Sequence, residues 1–106
     1  MSEDLRRYPR KPVRLRARLT SVRQHELEAF TVNVSAGGAT IECREARVAL
    51  NDNVVLAIHR LGAIRGRVAH LDRGLIGIEF TVSPDSVIPR FAAIGVVLEA
   101  PQGDRR

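Results

Sequence analysis

The sequence has a single cysteine, no tryptophan and only four aromatic residues, three phenylalanines and one tyrosine, among its 106 positions. One cysteine, Cys43, cannot form an internal disulfide, which favours a reducing, cytoplasmic setting. No apolar run approaches the roughly 20 residues that a membrane-spanning helix needs. The first ten residues also lack the apolar segment of a secretory signal peptide. We therefore expect a cytoplasmic domain whose core consists mainly of Val, Ile, Leu and Ala.

The sequence also lacks the motifs of common enzyme and metal sites. It contains no Gly-x-Ser-x-Gly elbow, no phosphate-binding loop and no dinucleotide-binding glycine motif. Its three histidines, His25, His59 and His70, are far apart and have no second ligand type at metal-binding spacing. A chain of 106 residues also has little room for a deep cleft. We expect no catalysis, no bound metal and no cofactor.

Positive charge is concentrated near the N-terminus. The chain has 17 basic and 12 acidic residues and a net charge of +5. Residues 1–23 contain eight of the basic and two of the acidic residues, so this segment holds all of the excess positive charge. Every basic residue except Lys11 is an arginine, whose planar fork of donors binds phosphate and the guanine edge in bidentate fashion. The cluster of Arg6, Arg7 and Arg10 ahead of the first strand predicts an anionic partner.

Strict alternation of apolar and polar side chains predicts β-strands with one buried face. The alternation begins at Val13 and recurs in separate segments along the chain. On the second predicted strand we expect Phe30, Val32 and Val34 to point inward. The predicted strands cover residues 13 to 22 or 23, 28–34, 39–43, 54–59, 63 to 70 or 71, and 75–80.

Two turns between the predicted strands and one helix after them can also be predicted. The turn Ser35-Ala36-Gly37-Gly38 has two glycines that can adopt positive φ. The sequence Asp72-Arg73-Gly74 predicts a tight hairpin with Gly74 in the left-handed region. Ser83-Pro84-Asp85 resembles a helix start, and apolar residues then follow at helical spacing to Leu98. Pro89 would disturb a helix interior, so a start near residue 86 or 88 is the alternative.

Short strands at regular spacing with one terminal helix predict an all-β fold. We expect a small six-stranded antiparallel β-barrel, or a sandwich, with the C-terminal α-helix covering one mouth. The expected organisation is a flexible basic N-terminal arm over residues 1–12, the barrel with its helix over 13–100, and a frayed tail over 101–106.

Two short motifs flank the first two predicted strands. Arg6-Arg7-Tyr8-Pro9-Arg10 contains the pattern R-x-x-x-R, and Asn33-Val34-Ser35-Ala36-Gly37-Gly38 has the pattern [D/N]-x-S-x-x-G. Each is weak alone, but in this order on a six-stranded barrel they are specific. The chain resembles the PilZ domain family, whose members bind the bacterial second messenger cyclic di-GMP. The resemblance extends from about Leu5 to Leu98.

The resemblance implies a ligand site built from both motifs. Arg6 and Arg10 would bind phosphate and the guanine Hoogsteen edge, and Arg7 could add a phosphate or stacking contact. Asn33 takes a position usually held by Asp in the family, where the carboxylate accepts hydrogen bonds from guanine. A neutral amide there can accept too, although without the assistance of a charge.

The rest of the [D/N]-x-S-x-x-G motif would supply the remaining contacts. Ser35 would donate to a phosphate or base oxygen. Gly38 would let the ligand approach the backbone, and Gly37 would assist the turn.

The implied function is a single-domain cyclic di-GMP receptor without catalysis. It would change conformation on binding and signal through an unidentified partner protein, in control of motility, exopolysaccharide or gene expression. The alternative is a small-barrel protein that binds RNA, with the basic arm and the outward Arg14, Arg16 and Arg18 along the phosphate backbone. Against RNA, Phe30 is expected in the core, which leaves only Tyr8 as an aromatic platform.

Overall fold

A computed structural model describes residues 8–23 and 25–100 of the chain. This part of the molecule is one antiparallel sheet followed by one helix, α1 (Pro84–Ala92). The strands are β1 (Lys11–Pro12), β2 (Arg16–Ser21), β3 (Leu27–Val34), β4 (Gly38–Glu42), β5 (Asn53–Ile58), β6 (Gly62–Asp72) and β7 (Leu75–Phe80).

The sheet closes on itself. β2 pairs with β5, and the order continues through β6, β7 and β4 to β3, which pairs back onto β2. The short strand β1 adds to the same edge of β3 as β2, beyond the end of β2. The expected six-stranded antiparallel barrel is confirmed, with β1 as an additional strand.

The inward face of β3 differs from the prediction. Ala29 and Thr31 are buried, whereas Phe30 is only partly buried and 39% of Val32 is exposed. The cause is an irregularity in the pairing of β3 with β4 between Thr31 and Asn33, which shifts the alternation by one position and returns Val34 to the core. The expectation that Phe30 and Val32 point inward was therefore wrong, and that for Val34 was right.

A buried hydroxyl explains why the first predicted strand is interrupted at residues 13–15. The Thr31 side chain donates to the carbonyl oxygen of Val13 at 2.5 Å and accepts from the N–H of Leu15 at 2.8 Å. These bonds satisfy backbone groups that a regular ladder would have paired. The strand predicted from Val13 is thus divided into β1 and β2, with Thr31 bridging the gap.

The helix α1 packs against the core of the barrel through its apolar side chains. Ser83 caps it by accepting from the N–H of Asp85, and Pro84 occupies the first turn. Val87 and Phe91 are fully buried in the core. The Arg90 guanidinium fixes the helix to the β5–β6 turn by donating to the carbonyl oxygens of Leu61 and Ala63.

The helix is shorter than predicted. It ends at Ala92, whereas the apolar spacing continues to Leu98. Gly95 has φ +87°, and the N–H of Val96 returns to the carbonyl oxygen of Phe91 at 2.9 Å, which is the pattern of a Schellman motif. Pro89 lies inside the helix rather than before it.

The described residues contain neither a membrane-spanning helix nor a cluster of metal-ligand side chains. None of the helices there is long and apolar enough to cross a membrane. Within residues 8–23 and 25–100, no group of three or more His, Cys, Asp or Glu side chains could hold a metal ion.

Candidate functional site

The β3–β4 turn is fixed by a buried serine. Ser35 is fully buried, and its hydroxyl accepts from the N–H groups of Gly37 and Gly38 at 3.2 and 3.1 Å. The same hydroxyl donates to the carbonyl oxygen of Gly38 at 3.3 Å. The Gly37 carbonyl accepts from the N–H of Phe80 at 2.9 Å, which ties the turn to the end of β7. These contacts favour a role for Ser35 in shaping the turn, and its direct contact with a ligand stays a prediction.

The glycines of this turn do not serve the purpose expected of them. Neither Gly37 nor Gly38 has a positive φ. Gly37 is instead required by the approach of a side chain, because a Cβ built on it would lie 2.5 Å from Cδ2 and 2.8 Å from Cε2 of Tyr8. The expectation of positive φ was wrong here, and the close approach is the physical reason for a glycine.

Arg10 joins the two sequence motifs. Its Nη1 donates to Oδ1 of Asn33 at 2.7 Å and to the hydroxyl of Thr40 at 3.2 Å. Its Nε and Nη2 have no hydrogen-bond partner within the described ranges. These two nitrogens form the side-on edge of the guanidinium, the edge that binds phosphate or guanine in bidentate fashion.

Strand β1 holds Arg10 in this position. Lys11 lies opposite Val34 in the antiparallel register, and Pro12 lies opposite Asn33. Asn33 in turn lies opposite Thr40 on β4. The Arg10 side chain therefore extends across β3, from β1 to β4, and the arm and the turn meet on the outer surface of the barrel.

The outer surface continues from Thr40 onto two further strands. Thr40 lies opposite Gly77 on β7, and Gly77 lies opposite His70 on β6, which is exposed. Nearby, Glu79 forms an ion pair with Arg67. A groove of about 640 Å³, lined by residues of β2, β5 and β6 together with Val22 and Thr81, lies elsewhere on the barrel.

Groups with shifted pKa values lie outside this cluster. Burial raises the pKa of the Cys43 thiol, which favours its neutral form. A hydrogen bond from Arg23 lowers the pKa of the Asp52 carboxyl. Asp52 also accepts from the N–H of Ala49 and so holds the loop before β5.

The structure brings most of the expected site residues together. Arg10 and Asn33 are in contact, and Ser35, Gly37 and Gly38 form the adjoining turn. Arg6 and Arg7 lie outside the described residues. So does most of the expected flexible arm, whose described part, residues 8–12, is placed against the barrel.

Sequence reasoning missed two members of the site, Tyr8 and Thr40. Thr40 could have been predicted from the sequence, because alternation on the third predicted strand already places its side chain outward. The contact of Tyr8 with Gly37 had no local signal, since it joins residues that are distant in sequence.

Comparisons with known proteins give a family and a fold for the chain. A family model described as PilZ domain matches residues 4–90. Among solved structures, the chain is similar to the crystal structure of the PilZ domain of CeSA from a cellulose-synthesizing bacterium, with a TM-score of 0.69 and 16% sequence identity. That match covers 83% of this chain and 99% of the other. None of the curated proteins matches the chain.

Proposed function

The chain belongs to the PilZ domain family, a family of cyclic di-GMP receptors, and we propose that it binds cyclic di-GMP where its N-terminal arm meets the β3–β4 turn. The observation that carries the proposal is the 2.7 Å hydrogen bond from Arg10 to Asn33. It places the last arginine of one motif against the first residue of the other. PilZ domains are binding domains rather than known enzymes, and we propose no reaction for this one.

Arg10 and Asn33 have complementary roles in the proposed complex. Asn33 and Thr40 hold Nη1 of Arg10, so its Nε–Nη2 edge is presented to phosphate or to O6 and N7 of guanine. The Asn33 carbonyl oxygen has a second lone pair that accepts from the N1–H or N2–H of guanine. Arg6 and Arg7 add phosphate and stacking contacts.

The β3–β4 turn supports this recognition through its fixed backbone. Ser35 holds the N–H groups of Gly37 and Gly38 in place. Gly38 is buried, so in this proposal it serves the ligand by shaping the turn. Ser35 acts chiefly through this geometry, since its hydroxyl is fully buried.

The interaction energies are sufficient. Each charge-assisted hydrogen bond contributes about 1.5 to 3 kcal/mol, and each stacked base about 1 to 3 kcal/mol. Three or four such bonds with stacking exceed the roughly 8 kcal/mol of micromolar binding. The contacts that hold residues 8–12 are made within the chain. The free energy of ligand binding therefore does not have to offset the entropy lost by ordering these residues.

The proposed output is a change in the arm that a partner protein recognises. Binding orders residues of the arm over the barrel, and the new surface is the signal for motility, exopolysaccharide or gene-expression control. The setting proposed for this signalling is the cytoplasm. Amide hydrogen exchange of residues 4–7, which precede the segment held against β3, tests the first step, and equal protection there with and without cyclic di-GMP would contradict it.

One observation bears on the RNA alternative. Phe30 lies on the outer face of β3 rather than in the core, with the Arg14 guanidinium 4.2 Å from its ring centroid. This restores a possible aromatic platform. However, Arg14 is paired with Glu42 and Arg18 with Glu26, so much of the positive charge beside the ring is neutralised. We expect weak RNA binding or none.

Calorimetric titration with cyclic di-GMP, GTP and a single-stranded RNA separates the two functions. The receptor predicts micromolar or tighter binding of cyclic di-GMP only, weakened in Ser35→Ala. The alternative predicts RNA binding that falls steeply with salt and survives Ser35→Ala. RNA binding without cyclic di-GMP binding would overturn the proposal.

A further inference from the structure

We infer that Tyr8 and Gly37 form a clasp, the Tyr8–Gly37 clasp, that fixes Arg10 beside Asn33 and so pre-positions the arm for the dinucleotide. This inference rests on the proposed function for its ligand, but the clasp itself can be measured without one. Tyr8 and Gly37 are positioning residues in this scheme, because they act through Arg10.

The clasp is a ring lying directly on a glycine. The three atoms nearest to a Cβ built on Gly37 all belong to the Tyr8 ring, at 2.5, 2.8 and 3.3 Å from Cδ2, Cε2 and Cγ. Real Cβ atoms essentially never come within 3.0 Å of another heavy atom, as this one would at Cδ2 and Cε2, so even an alanine at this position must displace the ring. The contacting atoms are ring carbons, and the phenol oxygen is not among them.

The turn cannot relieve the contact by moving. Ser35 accepts from the N–H of Gly37 at 3.2 Å, and the Gly37 carbonyl accepts from Phe80 at 2.9 Å. Ser35 is fully buried. The turn is thus held on both sides, while Tyr8 is partly exposed. A side chain at position 37 must therefore move the arm rather than the turn.

The backbone connects the ring to Arg10 over a short, stiff segment. Pro9 separates Tyr8 from Arg10, and Pro12 follows Lys11 at the start of the pairing with β3. Prolines restrict the conformations of the free chain. With Tyr8 held at one end and Lys11–Pro12 paired at the other, Arg10 has little freedom and its Nη1 stays on Asn33.

A double-mutant cycle tests the clasp through affinity. We expect Tyr8→Ala and Gly37→Ala each to weaken cyclic di-GMP binding about tenfold, the factor that corresponds to ordering roughly one backbone residue. The double variant is expected to bind no more weakly than Tyr8→Ala, because Gly37→Ala acts only by displacing the ring. Tyr8→Phe keeps the ring carbons and should bind within about twofold of the unmodified chain. Additive losses, or wild-type affinity in Gly37→Ala, would refute the positioning role.

Tyrosine fluorescence tests the clasp without ligand. Tyr8 is the only tyrosine of a chain that has no tryptophan, so intrinsic emission reports this ring alone. Acrylamide should quench that emission more efficiently in Gly37→Ala than in the unmodified protein. Amide exchange of residues 10–13 should also be faster in ligand-free Tyr8→Ala. A ring that only contacted the ligand would leave this exchange unchanged.

The two readouts separate the failure of the clasp from the failure of the proposed function. Equal quenching in Gly37→Ala and the unmodified chain would refute the clasp, whatever the affinity. A shielded Tyr8 in a protein that binds no cyclic di-GMP would refute the proposed function and with it the role in dinucleotide binding, while the contact itself stood.

Discussion

Two turns of this barrel contain glycine for different physical reasons. In the β6–β7 hairpin, Arg73 and Gly74 have φ of +49° and +86°, which is the two-residue turn whose twist matches the strands. In the β3–β4 turn, Gly37 has no positive φ and its need for glycine comes from the Tyr8 ring. A glycine can thus serve the conformation of its own turn or the approach of a distant side chain. Substitutions at the two turns should therefore fail in different ways.

The largest expected effect is on binding affinity, when the positive charge beside the β3–β4 turn is removed. Arg10→Ala should weaken cyclic di-GMP binding by about a hundredfold or more, since it removes two or more charge-assisted hydrogen bonds together with the anchor on Asn33. Arg73→Ala removes one positive charge from the β6–β7 hairpin, and its affinity should stay within about twofold of the unmodified protein. Calorimetry measures both. Equal losses in the two variants would mean that net charge, and not the Arg10 site, drives binding.

A serine substitution addresses the internal hydrogen bonds of the β3–β4 turn. Ser35→Ala leaves the buried N–H of Gly38 and the part-buried N–H of Gly37 without their acceptor, so we expect about 2 kcal/mol of lost stability. Cyclic di-GMP affinity should fall about tenfold, because the turn that carries Asn33 and Gly38 loosens. Urea unfolding and calorimetry give the two values.

The control for this variant is the same chemical change at the helix cap. Ser83→Ala should cost about 1 kcal/mol of stability and leave affinity unchanged. A Ser35→Ala protein that loses stability but binds normally would show that the turn does not shape the site.

Glycine-to-alanine variants test the comparison directly. Gly74→Ala puts a Cβ into the left-handed region and should cost about 1 to 2 kcal/mol of stability without a change in affinity. Gly37→Ala should show the reverse, near-normal stability with weakened binding. Thermal unfolding should therefore show the larger loss of stability in Gly74→Ala, and calorimetry the larger loss of affinity in Gly37→Ala. Parallel behaviour of the two would remove the distinction between the turns.

The barrel was predictable because one face of each strand is buried. Period-two alternation located all six barrel strands, and the residue types of Arg73-Gly74 predicted their hairpin. The bulge in β3 was not predictable, since an extra residue in one strand depends on its partner strands. Phe30 was assigned to the wrong face for that reason, and the buried Thr31 was missed.

The residues of the candidate site could be singled out from sequence only where a motif is local. Arg10 and Asn33 were identified from short patterns, but their contact depends on the pairing of β1 with β3, which no local pattern specifies. Thr40 became part of the site through the same register. Tyr8 was considered only as part of the basic segment and as an aromatic platform for RNA, since nothing nearby in sequence indicates that its ring lies on Gly37.

The smallest expected effect concerns the charge at position 33. Asn33→Asp places a carboxylate against the Arg10 guanidinium, which strengthens their hydrogen bond and the acceptance of guanine N–H groups. We expect cyclic di-GMP affinity at neutral pH to be equal or a few times higher. Arg10 should lower the pKa of the new carboxyl, so the gain is expected above that pKa and is lost as the pH falls through it. Asn53→Asp, the same change on the exposed start of β5, should leave affinity unchanged. A clear loss in Asn33→Asp alone would mean that the amide donor, and not its carbonyl oxygen, meets the ligand.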